Sequence, residues 1–362
     1  MNALVYSENE FGKIDGKVAN GLARHSAKYN ILGIIDSKKA GVDAGEYLDG
    51  IKNGIPVFRS LDYAIETLGL IPEYFIYGIA PLASYLDNEQ RGIIINAMKK
   101  GMNIVNGLPE FFTEDDEFVQ KASEYGVRII DIRKPPKRKD LHIFTGKIFE
   151  VKIPIITVLG TDCAVGKRTT AVNLVDALKK EGLNPAFIAT GQTGLIQGAK
   201  YGAALDVLTS GFATGEVENA ILNACENDNP DIIVVEGQGA LSHPAFTSSS
   251  AIIRGAMPKA IILQHPPQRK NRCDYPNIPM PTLESEIELL EIFSKSKVIA
   301  ITLNHEDMTD DEVESTIVEY EYKYDLPTTD VLKNGCNKLV VELFKIFPEL
   351  QKQATLLCQP QE

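Results

Sequence analysis

The chain has 362 residues, 44% hydrophobic and 24% charged, with a formal net charge of −12. That length suits two domains better than one. The acidic balance argues against general affinity for nucleic acid or an anionic membrane surface, and no apolar run approaches membrane-spanning length.

In chain order, the first third alternates strand and helix. Ala3–Tyr6, Ile31–Ile35, Tyr74–Tyr77, Asn103–Val105 and Val127–Ile130 read as strands, and Lys17–Tyr29, Leu61–Leu68, Asn88–Lys100 and Glu114–Tyr125 as helices. Such alternation predicts a parallel sheet with helical crossovers. Asp36 ends the second strand, where a dinucleotide fold places its ribose-binding acid. The first strand-to-helix junction, Ser7 to Lys17, has no G-x-G-x-x-G. A Rossmann-like domain used for something other than NAD is therefore expected over residues 1–140. The basic, proline-containing Arg133–Asp140 closes it, as a linker or as a guard for an anionic ligand.

A second α/β domain is expected over 141–350. Ile153–Leu159 reads as a buried strand and Ala171–Leu178 as a helix. Between them lie Gly160, Thr161, Asp162, Cys163, Ala164, Val165, Gly166, Lys167, Arg168, Thr169 and Thr170. Strand, glycine-rich turn, Gly-Lys and helix together form a phosphate-binding P-loop, in which backbone N–H groups, a helix N-terminus and a lysine converge on an anion. Arg168 stands where a magnesium-binding Ser or Thr usually follows the lysine, so phosphate binding is implied and nucleotide hydrolysis is not. Strands follow at Ala186–Ala189, Ile232–Val235, Ala260–Leu263 and Val298–Thr302. Helices follow near Glu216–Cys225, Leu283–Phe293, Asp310–Tyr322 and Asn337–Phe347, and Gln351–Glu362 is expected to fray.

Several residues flank the P-loop at predicted strand ends. Glu236 ends a buried strand before a glycine turn, as a functional carboxylate or a turn cap. Ala189–Gly194, with Gln192 and Thr193, offers small polar groups for a ligand or an ordinary turn. The glycine-hinged loop Thr209–Gly215 leads to Ser210, Glu216 and Glu218, which reach a ligand or cap a helix. His243 and His265 both follow strands and are candidate general bases. Arg254, Arg269 and Arg272 are candidate anion contacts. Cys163 sits beside a helix N-terminus and Lys167, a setting that lowers a thiol's pKa. Five scattered cysteines (Cys163, Cys225, Cys273, Cys336, Cys358) lack C-x-x-C spacing, which argues against a zinc site or disulfide framework and for a reducing cytoplasm. No metal is expected.

Gly160-Thr-Asp with Val165-Gly-Lys167 and Val235-Glu-Gly-Gln-Gly239 resembles the dethiobiotin synthetase branch of P-loop proteins over the nucleotide-binding core. A fuller resemblance rests on Gly160–Lys167, Ala189–Gly194, Glu236–Gly239 with His243-Pro244, and Leu263–Pro266. These motifs together resemble the DUF1611, DgcN-like family, which pairs a Rossmann-like N-terminal domain with a P-loop C-terminal domain. The resemblance implies transfer of an acetyl group from acetyl-CoA to the amine of an acidic amino acid, D-glutamate. In that reaction the P-loop grips CoA phosphates without hydrolysis, and Glu236, His243 or His265 deprotonates the amine. The alternatives are an ATP- and magnesium-dependent ligase or kinase of the dethiobiotin synthetase type, and a regulator that binds CoA or nucleotide without turnover. A homo-oligomer is expected.

Overall fold

The computed structural model describes residues 1–81 and 85–351. The end of the expected frayed tail, residues 352–362, lies outside them. The chain divides into two compact units, Met1–Pro136 with Gln192–Ala199, and Lys137–Gly191 with the chain from Lys200. The contiguous boundary expected after residue 140 therefore falls four residues earlier, and one later segment joins the first unit.

In the first unit the strands are β1 (Asn2–Tyr6), β2 (Asn30–Ile35), β3 (Val57–Phe58), β4 (Tyr74–Tyr77), β5 (Asn103–Asn106) and β6 (Ile129–Asp131), and the helices are α1 (Lys17–Arg24), α2 (Ala44–Asp49), α3 (Leu61–Leu68), α4 (Asn88–Lys99) and α5 (Asp116–Tyr125). The sheet order is β3-β2-β1-β4-β5-β6, all parallel. Alternate residues of β1 feed opposite cores: Leu4 and Tyr6 pack with α3, α4 and α5, and Ala3 and Val5 with α1. This doubly wound order would put a dinucleotide at the β1/β4 edge. The chain's own acids occupy that corner. Asp36 is fully buried and accepts the Phe11 N–H (3.2 Å) and the Lys38 N–H (3.0 Å). Glu8 accepts the Ser37 N–H (2.8 Å). The carboxylate at the ribose-binding position of dinucleotide folds braces the turn here, in keeping with a domain used for something other than NAD.

The second unit contains β7 (Ile155–Gly160), α6 (Lys167–Lys180) and β8 (Pro185–Ala189). The chain then gives α7 (Gln192–Gln197) to the first unit and returns with β9 (Tyr201–Gly202), α8 (Ser210–Asp228), β10 (Ile232–Glu236), α9 (Ser248–Ala256) and β11 (Ala260–His265). A hairpin, β12 (Asn271–Arg272) and β13 (Tyr275–Pro279), precedes α10 (Leu283–Ser294), β14 (Lys297–Leu303), α11 (Asp310–Tyr324), β15 (Thr328–Thr329) and α12 (Asn337–Ile346). The sheet order is β15-β14-β11-β7-β10-β8-β9, again parallel. Ile156 and Val158 pack beneath α6 and α12, while Ile155 and Leu159 face α8, α9 and α10. Strands buried on both faces read as continuous apolar runs, which made them legible in the sequence. Among the described residues no helix is long and apolar enough to cross a membrane.

Two local differences have physical causes. The expected loop Thr209–Gly215 is the first turns of α8, whose glycines obscured the helical pattern. Gly215 is required by a crossing strand of chain: a Cβ there would lie 2.2 Å from the His142 carbonyl oxygen. Glu216 and Glu218 anchor that crossing segment and are not aimed at a ligand. Glu216 accepts the His142 N–H (2.6 Å), and Glu218 accepts those of Thr145 (2.6 Å) and Ile148 (3.2 Å). Helix α7 joins the first unit because Gln197 donates to the Gly21 and His25 carbonyls (2.8 Å each) and Ile196 is fully buried among Val5, Val18 and Leu22. Those two carbonyls lie at the C-terminal end of α1, where helix carbonyls run short of backbone donors.

Because Asp36 and Glu8 already occupy the dinucleotide corner, NAD should leave the thermal midpoint of the protein unchanged. Asp36→Ala should instead destabilise it by about 1–3 kcal/mol, through loss of its bonds to the Phe11 and Lys38 N–H groups. Thermal denaturation with and without NAD checks both outcomes.

Candidate phosphate-binding site

The site starts from the register of three central strands. Gln264 of β11 pairs with Gly160 at the end of β7, and Glu236 of β10 pairs with Val158. The carboxyl ends of β11, β7 and β10 therefore meet at one edge, where open α/β sheets bind ligands. Gly160 must be glycine because a Cβ there would meet Val165, Lys167 and the Gln264 carbonyl at 2.9–3.1 Å. Gly166 enters α6 with φ +104°, a left-handed conformation that glycine adopts without strain. Ala164 holds φ +49° without that freedom. Residues Gly160 to Thr170 thus form the expected loop, and α6 begins at Lys167, inside the motif.

Asp162 organises the loop. Its carboxylate is fully buried, and Oδ2 accepts from Arg269 Nη1 (3.0 Å) and the Cys273 N–H (2.8 Å). Arg272 Nη1 lies 3.5 Å from Oδ1. Arg269 also donates to the Cys163 carbonyl (2.7 Å) and forms a bidentate pair with Glu306, both bonds 2.6 Å. Arg272 donates to the Thr161 carbonyl (3.2 Å) and the Ser242 hydroxyl (3.0 Å). Arg272 is buried, and the Arg269 side chain is only 7% exposed. They clamp the loop from behind and are not the anion contacts expected of them. Arg254, the third candidate, lies over the Phe293 ring on α9.

Lys167 is buried, and its ammonium donates to the Asp162 carbonyl (2.5 Å). Burial holds its pKa below the usual lysine value, with Cys163 and Asp162 favouring the charge. The Thr170 hydroxyl donates to Gln264 Oε1 (2.5 Å), which also accepts from Thr302 (2.6 Å). One of the two hydroxyls that could replace the missing magnesium ligand is thereby taken up by the sheet, leaving Thr169. Val165 is fully buried and Arg168 partly exposed.

The three acid–base candidates all lie in this unit, in distinct states. Glu236 is buried, and burial raises its pKa; Arg168, the Thr190 and Gly191 amides and Lys167 oppose that rise. Oε2 accepts the Thr190 N–H (3.0 Å). His265 Nδ1 lies 2.9 Å from the Thr161 hydroxyl, and burial, with Arg269, lowers its pKa to about 4. His243 is stacked on Phe246 and its pKa is also lowered, by burial and Arg272. The Ala245 N–H donates to its Nδ1 (3.2 Å), so the neutral ring carries its proton on Nε2. Gln192 and Thr193, grouped with the loop in the sequence, open α7 in the first unit. Thr190 and Gly191 are the residues of that motif that touch Glu236.

Unpartnered buried atoms concentrate around His243. Asp162 Oδ1, His243 Nε2, Arg272 Nε and Glu286 Oε2 all lack a hydrogen-bond partner. Such groups are rare in folded interiors and mark sites under functional constraint. Asp162, Cys163 and His243 also offer donor atoms within 4.8 Å of one another. Two features oppose a cation there: the proton on Nε2 of His243, and Arg272 beside Asp162. Gln264, Thr302, Glu286 and Glu306 were not singled out in the sequence. Their signal was a polar residue closing an apolar strand, for the first two, and nothing local for the acids.

A parallel Rossmann-type unit and a P-loop unit define a two-domain α/β protein of the P-loop class. Family models match both parts: "Domain of unknown function (DUF1611_C) P-loop domain" over residues 142–340, and "Domain of unknown function (DUF1611_N) Rossmann-like domain" over 37–135. The chain belongs to the DUF1611 family. It is 32% identical over 300 residues to a D-glutamate N-acetyltransferase from Pseudoalteromonas sp., covering 80% of this chain and 88% of that protein. It is 26% identical over 271 residues to a D-glutamate N-acetyltransferase from Tritonibacter scottomollicae, covering 73% and 79%. A crystal structure of a DUF1611 family protein from Anabaena variabilis superposes with a TM-score of 0.85 at 28% identity, over 95% of this chain and 99% of that one.

His265 makes stability pH-dependent. Between about pH 6.5 and 4 the unfolded chain binds a proton there that the native ring rejects, so stability falls as pH falls through that window. The loss from this group should reach roughly 3 kcal/mol near pH 4. His265→Asn should remove this loss, so wild-type stability should fall more steeply than the variant's between about pH 6.5 and 4 in parallel denaturation series.

Proposed function

We propose that the protein is an acetyl-CoA-dependent N-acetyltransferase acting on an acidic amino acid, D-glutamate, and working in the cytoplasm. The observation that carries this reading is Glu236, a buried carboxylate with a raised pKa at the ligand edge of the sheet, beside a phosphate loop whose lysine is followed by Arg168. The names of the two relatives supply the transferred acetyl group and the acceptor, and acetyl-CoA as donor is part of this proposal. The match in length supports the same reading.

An amino acid's ammonium must lose a proton before its nitrogen attacks a thioester. Glu236 is the base of this proposal: burial raises its proton affinity toward the operating pH, which a general base requires. His265, held neutral with a pKa near 4, is a weaker base, and it orients Thr161 instead. His243, its side chain fully buried, holds Nε2–H 3.7 Å from Asp162 Oδ1, so it supports the loop carboxylate and does not meet the reacting atoms. Loop amides, Lys167 and the N-terminus of α6 would hold the CoA phosphates. CoA carries its thioester at the far end of the pantetheine arm from those phosphates, so the arm must fold back along the strand ends to reach Glu236. Acyl transfer requires no hydrolysis, which accords with Arg168 and with a Thr170 hydroxyl committed to Gln264.

Acetyl-CoA with D-glutamate should release CoA without ATP. Glu236→Gln should lower kcat by about 10²–10⁴-fold while leaving CoA affinity within about threefold. An unchanged kcat, or a loss confined to CoA affinity, would mean that Glu236 only supports the loop through Thr190. Lys167→Ala should abolish the thermal shift given by CoA. Substrate-dependent ADP formation without CoA release would replace this reading with the ATP-dependent ligase.

A further inference from the structure

Acyl transfer as described above leaves Cys163 and Cys273 without a task. Cys273 is tied to the loop through its backbone, whose N–H donates to Asp162 Oδ2 (2.8 Å). Its thiol donates to the Cys163 carbonyl oxygen (3.6 Å), and the two thiols influence each other's ionisation. Both residues are partly exposed. The other described cysteines differ: Cys225 lies on α8 and Cys336 is buried against α6 and α12, each without a second thiol beside it.

We propose that Cys163 and Cys273 form a peroxide-sensitive thiol pair that closes into a disulfide across the phosphate loop and shuts off anion binding. The Cys163 sulfur attacks a hydroperoxide, its O–O bond breaks, and Cys163 becomes a sulfenic acid as water or an alcohol leaves. The Cys273 sulfur then attacks the sulfenic sulfur and expels water. Two thiols are oxidised, one peroxide is reduced, and an external thiol reverses the reaction. The electrostatics agree with the order of events. The hydrogen bond from Cys273 lowers the Cys163 pKa against the opposing effect of burial, and Lys167 adds to the lowering. Cys273 is pushed up, and so are Cys225 and Cys336, the last to about 12.

The consequence for the loop follows from covalent geometry. A disulfide needs sulfurs about 2.05 Å apart, closer than two unbonded sulfurs approach. With the Cys273 backbone held to Asp162, one residue before Cys163, closing the bond bends the turn around Cys163 itself. Ala164, the next residue, already has φ +49°. The amides that turn toward an anion are therefore pulled out of register.

The test uses the full-length reduced protein and hydrogen peroxide. Peptide mass mapping should find Cys163 joined to Cys273, lighter by two hydrogens, with Cys225 and Cys336 still free. Cys273→Ser should leave a dimedone-reactive sulfenic acid at Cys163 and no cross-link; Cys163→Ser should show neither. If a serine variant misfolds, the alkylation rates of the wild-type thiols stand in its place, with Cys163 at least about tenfold faster than Cys225 near neutral pH. Oxidation should abolish the Lys167-dependent thermal shift given by CoA, and dithiothreitol should restore it. Unlinked Cys163 and Cys273 after oxidation, or an unchanged CoA shift with the disulfide formed, overturns the proposal. If CoA fails to shift the reduced protein, the assignment of CoA falls; inorganic pyrophosphate then serves as the probe and the mass mapping stands.

Discussion

The phosphate loop depends on one buried carboxylate. Asp162 stands fully buried between Arg269 and Arg272, accepting from the first and from the Cys273 amide. A loop shaped to surround an anion has inward-turned amides and a lysine, so its rear needs a compensating negative charge. Without Asp162, two buried guanidinium groups would face each other and the lysine, at a cost of several kcal/mol. With it, both arginines become struts, reaching the carbonyls of Thr161 and Cys163 and fixing the path of the turn. Asp162 Oδ1 has no hydrogen bond of its own and lies 3.5 Å from Arg272 Nη1 and 3.7 Å from His243 Nε2, held there by charge.

The same carboxylate links the loop to the rest of its unit. Arg269 joins it to Glu306 beyond β14, and Gln264 gathers the Thr170 and Thr302 hydroxyls at the ends of adjacent elements. A parallel sheet brings these strand ends together whatever their sequence. Which of them bind and which brace is then decided by charge. The first unit makes the contrast plain, since its sheet has the dinucleotide-binding order while Asp36 and Glu8 cap its own turns. One architecture thus appears twice with two uses.

The alternation of strands and helices, the P-loop and the strand-end position of Glu236 were all legible in the sequence, because buried parallel strands leave continuous apolar runs and a phosphate loop leaves a compact glycine pattern. Less legible were elements whose signal is short or mixed. β3 and β9 have two residues each, and α8 opens with glycines that suit a crossing backbone better than a helix. The insertion of α7 into the first unit rests on Gln197 and Ile196 finding partners some 170 residues away, roughly half the chain length. Residue spacing along the chain carries no trace of that.

By itself the sequence determined two α/β units, a loop able to hold phosphate and a carboxylate at the neighbouring strand end, since each is written in contiguous residues. Only the tertiary structure decided the roles of the charged side chains. Arg269 and Arg272 read equally well as ligand contacts until the fold buried them on Asp162, and Glu216 and Glu218 until it turned them onto backbone amides. His243 and His265 gained their neutral states from burial, not from neighbours in sequence. The physical reason is common to all of these. A charge acquires its function from the partners and dielectric around it, and those are assembled from residues distant in the chain.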